Sequence, residues 1–316
     1  MPLEIDYYNL SIHKLMLQDR VRCEAFSKAI AETITPDCVV LDIGAGTGIL
    51  SLFAAKAGAR IVYAVERTDI AKLARRIVLE NGFENKVKIF QNDMENVELP
   101  EKVDVIVSEW LGGYGIDENL LPIILQARDR WLKSGGKMLP SEVTSWIVPA
   151  FDELLLQDVV FWCNKPYGLN MTAITKDTYQ QLHYCRNHIK REQILCAPQM
   201  MWRIDTSTFQ ADDSQQVFGA RMEFVTKRKG SFNCLAAWFK AKLTDNITLS
   251  NEPSEEYTHW GRWAFPVGDN INVEKEMKIN IHFTLEPKGK GQTKAVWAVS
   301  VGDYNFKSED TTKLIK

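Results

Sequence analysis

The stretch from Cys38 to about Pro140 constrains the fold most, because it alternates short apolar runs with segments of helical period. Val39–Asp42, Ile61–Glu66, Val87–Phe90 and Val103–Val107 read as buried strands. Between them, Ile49–Gly58 and Ile70–Asn81 have helix-forming composition and period, the first ending at a glycine suited to a left-handed terminal position. A further helix, Leu120–Lys133, stops at Ser134-Gly135-Gly136. Strand and helix in alternation predict an α/β unit built on a parallel, doubly wound sheet.

After Pro140 the pattern becomes period-two alternation with long loops, as in Ala220–Val225 and Met277–Phe283, which predicts an antiparallel second domain. The chain has 316 residues, above the roughly 250–300 at which one core stops growing. The division falls at 1–140 and 141–316. Within the second part, Asp152–Ile194 is rich in large apolar residues and poor in glycine, and reads as a helical insertion. Ahead of the first strand, His13–Ile34 forms one amphipathic helix ended by Thr35-Pro36.

Composition narrows the function classes. No run reaches the roughly 18 apolar residues of a membrane span, and Met1–Asp6 lacks the basic-then-apolar order of a signal peptide, so an intracellular protein of cytoplasm or nucleus is expected. The six cysteines contain no C-x-x-C pair and the five histidines no H-x-x-x-H face, so no metal site is suggested. A net charge of -3 gives no broad basic surface for nucleic acid and tolerates a cationic substrate.

Directly after the first strand stands Asp42-Ile43-Gly44-Ala45-Gly46-Thr47-Gly48, whose glycines let the backbone turn sharply and approach a ligand closely. A dinucleotide fold asks for G-x-G-x-x-G, but Ile49 stands at the last position, and D-x-G-x-G-x-G favours S-adenosylmethionine over NAD. The second strand ends in Glu66, where a carboxylate can accept both ribose hydroxyls. After the third, Met94 and Glu95 suit an adenine ring and its exocyclic amine, although an acidic loop there is also an ordinary solvated turn.

The fourth strand runs into Ser108-Glu109-Trp110-Leu111-Gly112-Gly113-Tyr114-Gly115-Ile116-Asp117-Glu118. Carboxyl ends of strands in open parallel sheets face the ligand crevice, which places Glu109 where chemistry happens. Three glycines between two glutamates allow a tight reversal that brings Glu109 and Glu118 to face each other. Two such carboxylates can grip a guanidinium, whose five N–H donors lie in one planar fork. Either glutamate seen alone reads as a loop residue in water.

These motifs, with Tyr257-Thr258-His259-Trp260 and Tyr167–Met171, resemble the protein arginine N-methyltransferases of type I over most of the chain, from about Tyr7 to Phe265. The resemblance implies a Rossmann-like S-adenosylmethionine methyltransferase domain, then an antiparallel β-barrel domain whose helical arm, at about 152–194, makes a homodimer. It implies that Glu109 and Glu118 bind and polarise the acceptor arginine of a protein substrate, possibly Arg-Gly-rich. His259 pairs with Asp19, and Trp260 walls the arginine pocket. On the first helix His13, Met16 and Arg22 close over the cofactor, with Arg22 on its carboxylate, and Met16 tilts the product towards asymmetric dimethylarginine.

The chain departs from the family's Y-F-x-x-Y lid segment: Leu3 takes the first tyrosine position and only Tyr7 and Tyr8 closely precede His13, which implies a shortened lid and questions Tyr7 as a substrate-binding residue. Gly261-Arg262-Trp263 also sets a cation close to the expected substrate pocket. The chemistry expected is in-line methyl transfer. Protonated guanidinium is a poor nucleophile, so the two glutamates must draw its charge to the far nitrogens. Glu118 or the His259–Asp19 pair would take the proton. Two other readings stand beside this one: a methyltransferase for a small molecule, and a non-catalytic scaffold of the same fold.

Overall fold

The structure is a computed structural model and describes residues 9–178, 183–185, 189–289, 291–308 and 311–314. The described residues begin with two helices, α1 (Leu10–Gln18) and α2 (Arg20–Thr33), rather than the single helix expected over His13–Ile34. Asp19 causes the break. Its backbone is extended (φ -72°, ψ 92°), and it ends α1 while its side chain accepts the Arg22 N–H as the N-cap of α2.

Five strands then form a sheet in the order β3-β2-β1-β4-β5, with every pairing parallel. They are β1 (Val39–Ile43), β2 (Ile61–Val65), β3 (Val87–Phe90), β4 (Val103–Val107) and β5 (Leu132–Leu139). The helices α3 (Ile49–Lys56), α4 (Ile70–Glu80) and α5 (Leu121–Trp131) alternate with them. All five residues of β1 are buried, as its unbroken apolar run requires of a central parallel strand. The chain direction along the sheet reverses between β1 and β4, so the crevice beyond their carboxyl ends is the ligand position of such folds.

One boundary differs from expectation. Helix α5 ends at Trp131, and Ser134-Gly135-Gly136 lies inside β5 rather than marking a stop. β5 pairs with β4 at Leu132 and again at Lys137, Met138 and Leu139, and the two glycines lie in the irregularity between, with Gly135 at φ 75°.

The rest is largely antiparallel. Strands β6 (Glu142–Ala150), β7 (His183–Cys185), β8 (Gln199–Asp205), β9 (Phe218–Val225), β10 (Gly230–Lys242), β11 (Thr248–Ser250), β12 (Arg262–Val273), β13 (Lys278–Gly289), β14 (Gln292–Val301), β15 (Tyr304–Lys307) and β16 (Thr311–Leu314) make two sheets among the described residues. One runs β7-β12-β10-β6-β8 with β11 on β10; the other runs β15-β14-β13-β9 with β16 on β14. Burial alternates along β13 and β14, the mark of sheets with one face on a core. Phe265, Phe283 and Trp297 meet edge to face at 4.9–5.0 Å in that core. Tyr114, from the glycine-rich hairpin after β4, adds its ring at 5.2 Å from Phe265. Burying each such ring stabilises the fold by roughly 1.5–3 kcal/mol, so the hairpin is anchored in the antiparallel part.

The insertion at 152–194 is only partly helical. Asp152 caps α6 (Glu153–Cys163) by accepting the Leu154 N–H at 2.9 Å, and α7 (Ala173–Thr178) follows. Then β7 joins the edge of the first antiparallel sheet on β12.

Candidate active site

The sequence places its glycine loop and its glutamate hairpin at the carboxyl ends of β1 and β4, and the structure ties the two starts together: Ser108 Oγ donates to the Ile43 carbonyl at 2.7 Å. Gly44, Gly46 and Gly48 all have positive φ (72°, 54° and 87°), which carries the chain from strand to helix within one turn. Gly46 lies so close beneath α1 that a Cβ there would stand 3.2 Å from Cε1 of His13. His13 is buried, so α1 covers the glycine loop.

Asp42 lies fully buried at the end of β1. Its Oδ2 accepts Ser51 Oγ at 2.6 Å, and its Oδ1 has no partner. Burial pushes its carboxyl up to about 6, against the pull of Ser51. Glu66 faces the same loop: Oε2 accepts the Gly46 N–H at 2.9 Å and Oε1 the Thr68 N–H at 2.7 Å. Both oxygens keep a lone pair for further donors. Met94 begins a short turn after β3 with its side chain buried, while Glu95 beside it is exposed and gives its carbonyl to Arg130.

The hairpin is a tight reversal. Gly112 and Gly115 form an antiparallel bridge, and buried Asp117 accepts the N–H groups of Gly113 at 3.2 Å and Tyr114 at 2.9 Å. A side chain at Gly113 would collide with its neighbour, since a Cβ would fall 1.3 Å from Trp263 Nε1. Ser145 Oγ holds the Tyr114 carbonyl at 2.6 Å, and Trp260 Nε1 the Leu111 carbonyl at 2.7 Å. Glu109 Oε1 accepts the Leu111 N–H at 2.9 Å. Glu118, partly buried, closes the far arm.

The corner between α1 and α2 completes the site. Asp19 Oδ2 accepts both the His259 backbone N–H at 2.8 Å and its Nδ1 at 2.7 Å. Burial works to raise the Asp19 carboxyl, but hydrogen bonds from His259 and Arg22 outweigh it and hold the pKa below its ordinary value. Arg22, buried, lies on Glu109: its Nε and Nη2 each stand 3.1 Å from Oε2. Met16 is half-buried on α1 and its carbonyl accepts the Cys23 thiol. Trp260 packs edge to face on Phe239 at 5.1 Å. The cation at 262 serves the fold: Arg262 is buried and its Nη2 donates to the carbonyls of Glu252 at 2.8 Å and Glu255 at 2.9 Å. Tyr7 and the lid positions lie outside the described residues.

Residues 143–308 match a family model described as the arginine methyltransferase oligomerization subdomain, and residues 2–139 one described as PRMT5 arginine-N-methyltransferase. Protein arginine N-methyltransferase 6 of Xenopus tropicalis is 33% identical over 290 residues, covering 89% of this chain and 85% of that protein. The chain belongs to the protein arginine N-methyltransferase family.

Other members of the family agree. Protein arginine N-methyltransferase 1 of Oryza sativa subsp. indica is 33% identical, covering 90% of this chain and 74% of its own length. Among solved arginine methyltransferases, a Trypanosoma brucei PRMT1 enzyme-prozyme heterotetrameric complex with AdoHcy superposes with a TM-score of 0.85 at 26% identity, over 96% of this chain and 99% of that one. Arabidopsis thaliana protein arginine methyltransferase 10 gives 0.80 at 29% identity, over 97% of each. The sequence assigns no role to Asp117 or Asn251, and shows Ser108 only as part of the motif that ends β4. Asp117 had a signal, a carboxylate four residues after a double glycine, where free N–H groups need an acceptor.

Proposed function

We propose that this chain transfers the methyl group of S-adenosylmethionine to a guanidino nitrogen of arginine in protein substrates, giving mono- and then asymmetric dimethylarginine. One observation carries the reading: the glycine loop after β1 and the carboxylate hairpin after β4 leave one switch point, joined by Ser108, under a helix corner fixed by Asp19 and His259.

The residues suit the cofactor. Glu66 and Asp42 offer acceptors to hydroxyl groups, and the unpartnered Oδ1 of Asp42 suits a donor. Gly44 leaves room beside the backbone, His13 closes over Gly46, and Met94 with Glu95 serve the adenine. Bound S-adenosylmethionine supplies an electrophilic methyl on a sulfonium. Of the five N–H donors of Arg22, Nε and Nη2 meet Glu109 and Nη1 meets the Cys23 sulfur, which leaves a second N–H on each terminal nitrogen for a carboxylate.

Glu109 and Glu118 hold the acceptor guanidinium between them. The antiparallel bridge of Gly112 with Gly115 supports this reading, because it folds the segment back on itself between the two glutamates. Glu109 is held on one side by Arg22 and on the other by the Leu111 N–H, so its carboxylate is oriented before substrate arrives, and fixed charge of this kind is what lowers a barrier most. Trp260 walls the pocket and Met16 roofs it, which supports the asymmetric product. Glu118 or the Asp19–His259 pair accepts the proton.

The cofactor part is taken as 1–140 and the substrate part as 141–316, and the protein as a homodimer of the cytoplasm or nucleus. Phe161 on α6, 52% exposed, and Tyr167 and Leu169 just beyond it present apolar surface that a second copy would cover. Incubation with isotope-labelled S-adenosylmethionine and an Arg-Gly-rich peptide, read by mass spectrometry, tests the function: labelled arginine is expected. Label in a metabolite pool alone favours the small-molecule reading, and no cofactor binding by calorimetry favours the scaffold.

A further inference from the structure

Asn251 follows β11 at the head of the loop 251–261, and its side chain is wholly buried. Its Oδ1 accepts the Phe239 N–H of β10 at 2.9 Å. Its Nδ2 donates to the Gly113 carbonyl in the glutamate hairpin at 2.7 Å and to the Gly261 carbonyl, directly after His259-Trp260, at 2.9 Å. Two carbonyls and one N–H fix the amide in a single orientation, and only a group with two donors and an acceptor satisfies all three. A buried carbonyl deprived of its donor costs about 1–3 kcal/mol, so the three segments are held at one distance. Trp260 Nε1 on the Leu111 carbonyl is the second tie between the same two segments.

We propose that Asn251 is a positioning residue for the acceptor site, setting the Glu109–Glu118 hairpin against the loop that carries His259. The hairpin hangs from β4 of the parallel sheet, while His259 belongs to the antiparallel part; Asn251 and Trp260 join them beside the carboxylates. The inference rests on the proposed reading of this site as the arginine site. Asn251 touches no cofactor-facing residue described above, so its effect falls on the acceptor alone.

Asn251→Asp keeps the shape and the acceptor but points an oxygen at two carbonyls. Its kcat on an arginine peptide should fall about 100-fold, as displacements near 1 Å at a reacting centre do. Affinity for S-adenosylhomocysteine by calorimetry should stay near wild type, and hydrogen exchange should rise at both 111–116 and 258–262 but not at 40–48. If Asn251→Asp does not fold, Asn251→Ser, with one donor, is read the same way. A kcat near wild type, an equal loss of cofactor affinity, or faster exchange in only one segment overturns the proposal. If the wild-type protein modifies no arginine peptide, the reading of the site fails, and the exchange pattern alone decides whether Asn251 ties the two segments.

Discussion

Asp19 and His259, 240 residues apart, meet through one carboxylate oxygen that accepts both the imidazole Nδ1–H at 2.7 Å and the His259 backbone N–H at 2.8 Å. The other oxygen caps α2 through the Arg22 N–H at 2.9 Å. One side chain therefore breaks the first helix, starts the second and docks both on the antiparallel part.

Asp19→Ala should destabilise the protein by about 2–4 kcal/mol, the sum of a lost cap and buried donors left without an acceptor. The pH dependence follows from the lowered pKa of Asp19. A depressed carboxyl adds stability that is present above its unfolded value and is lost as pH falls through the folded value. Denaturant midpoints of wild type and Asp19→Ala should therefore converge towards strongly acidic pH.

Asp42 behaves oppositely. Its pKa is raised to about 6, so ionisation of the buried group works against folding at neutral pH, and stability rises as pH falls from 6 towards the unfolded value. Asp42→Asn should be up to ~3 kcal/mol more stable than wild type at pH 7, because the amide escapes the penalty of ionising a carboxyl that burial has raised to about 6. The difference should vanish below pH 4, while affinity for S-adenosylmethionine falls. Thermal melts across pH and a calorimetric titration check both.

How much of this was legible in the sequence depended on whether a feature is local. Strands β1 to β4 and the glycine loop declare themselves in unbroken apolar runs and a fixed spacing, and Val87–Phe90 and Val103–Val107 were read to the residue. The break at Asp19 was hidden because helical period runs on through it, and the partner that holds Asp19 in place, His259, lies 240 residues further on. Arg262 read as a cation near the substrate because sequence shows charge but not burial. Asn251 gave no sign, since its three partners are backbone groups.

Arg22 and Glu109 form a buried ion pair, with side chains 6% and 10% exposed. Removing one partner strands the other charge, so Arg22→Met should cost about 3–5 kcal/mol of stability. Arg22→Met combined with Glu109→Gln should recover part of that loss. A double-mutant cycle by chemical denaturation measures the coupling, and simple additivity would show that the pair does not hold.

Gly113→Ala would drive a methyl group into the Trp263 indole. The hairpin must shift, and kcat on an arginine peptide should fall at least about 100-fold. Adding Trp263→Ala opens the space and should restore part of the rate.

The most direct test of the acceptor site is single-turnover transfer to an arginine peptide by Glu109→Gln and Glu118→Gln, with cofactor binding followed in parallel. Each variant should bind S-adenosylmethionine and yet transfer methyl roughly 10²–10³-fold more slowly, the loss typical of one preorganised charge contact at a reacting centre. Near-normal transfer by either variant, with cofactor binding intact, would contradict the assignment of these two carboxylates to the acceptor guanidinium.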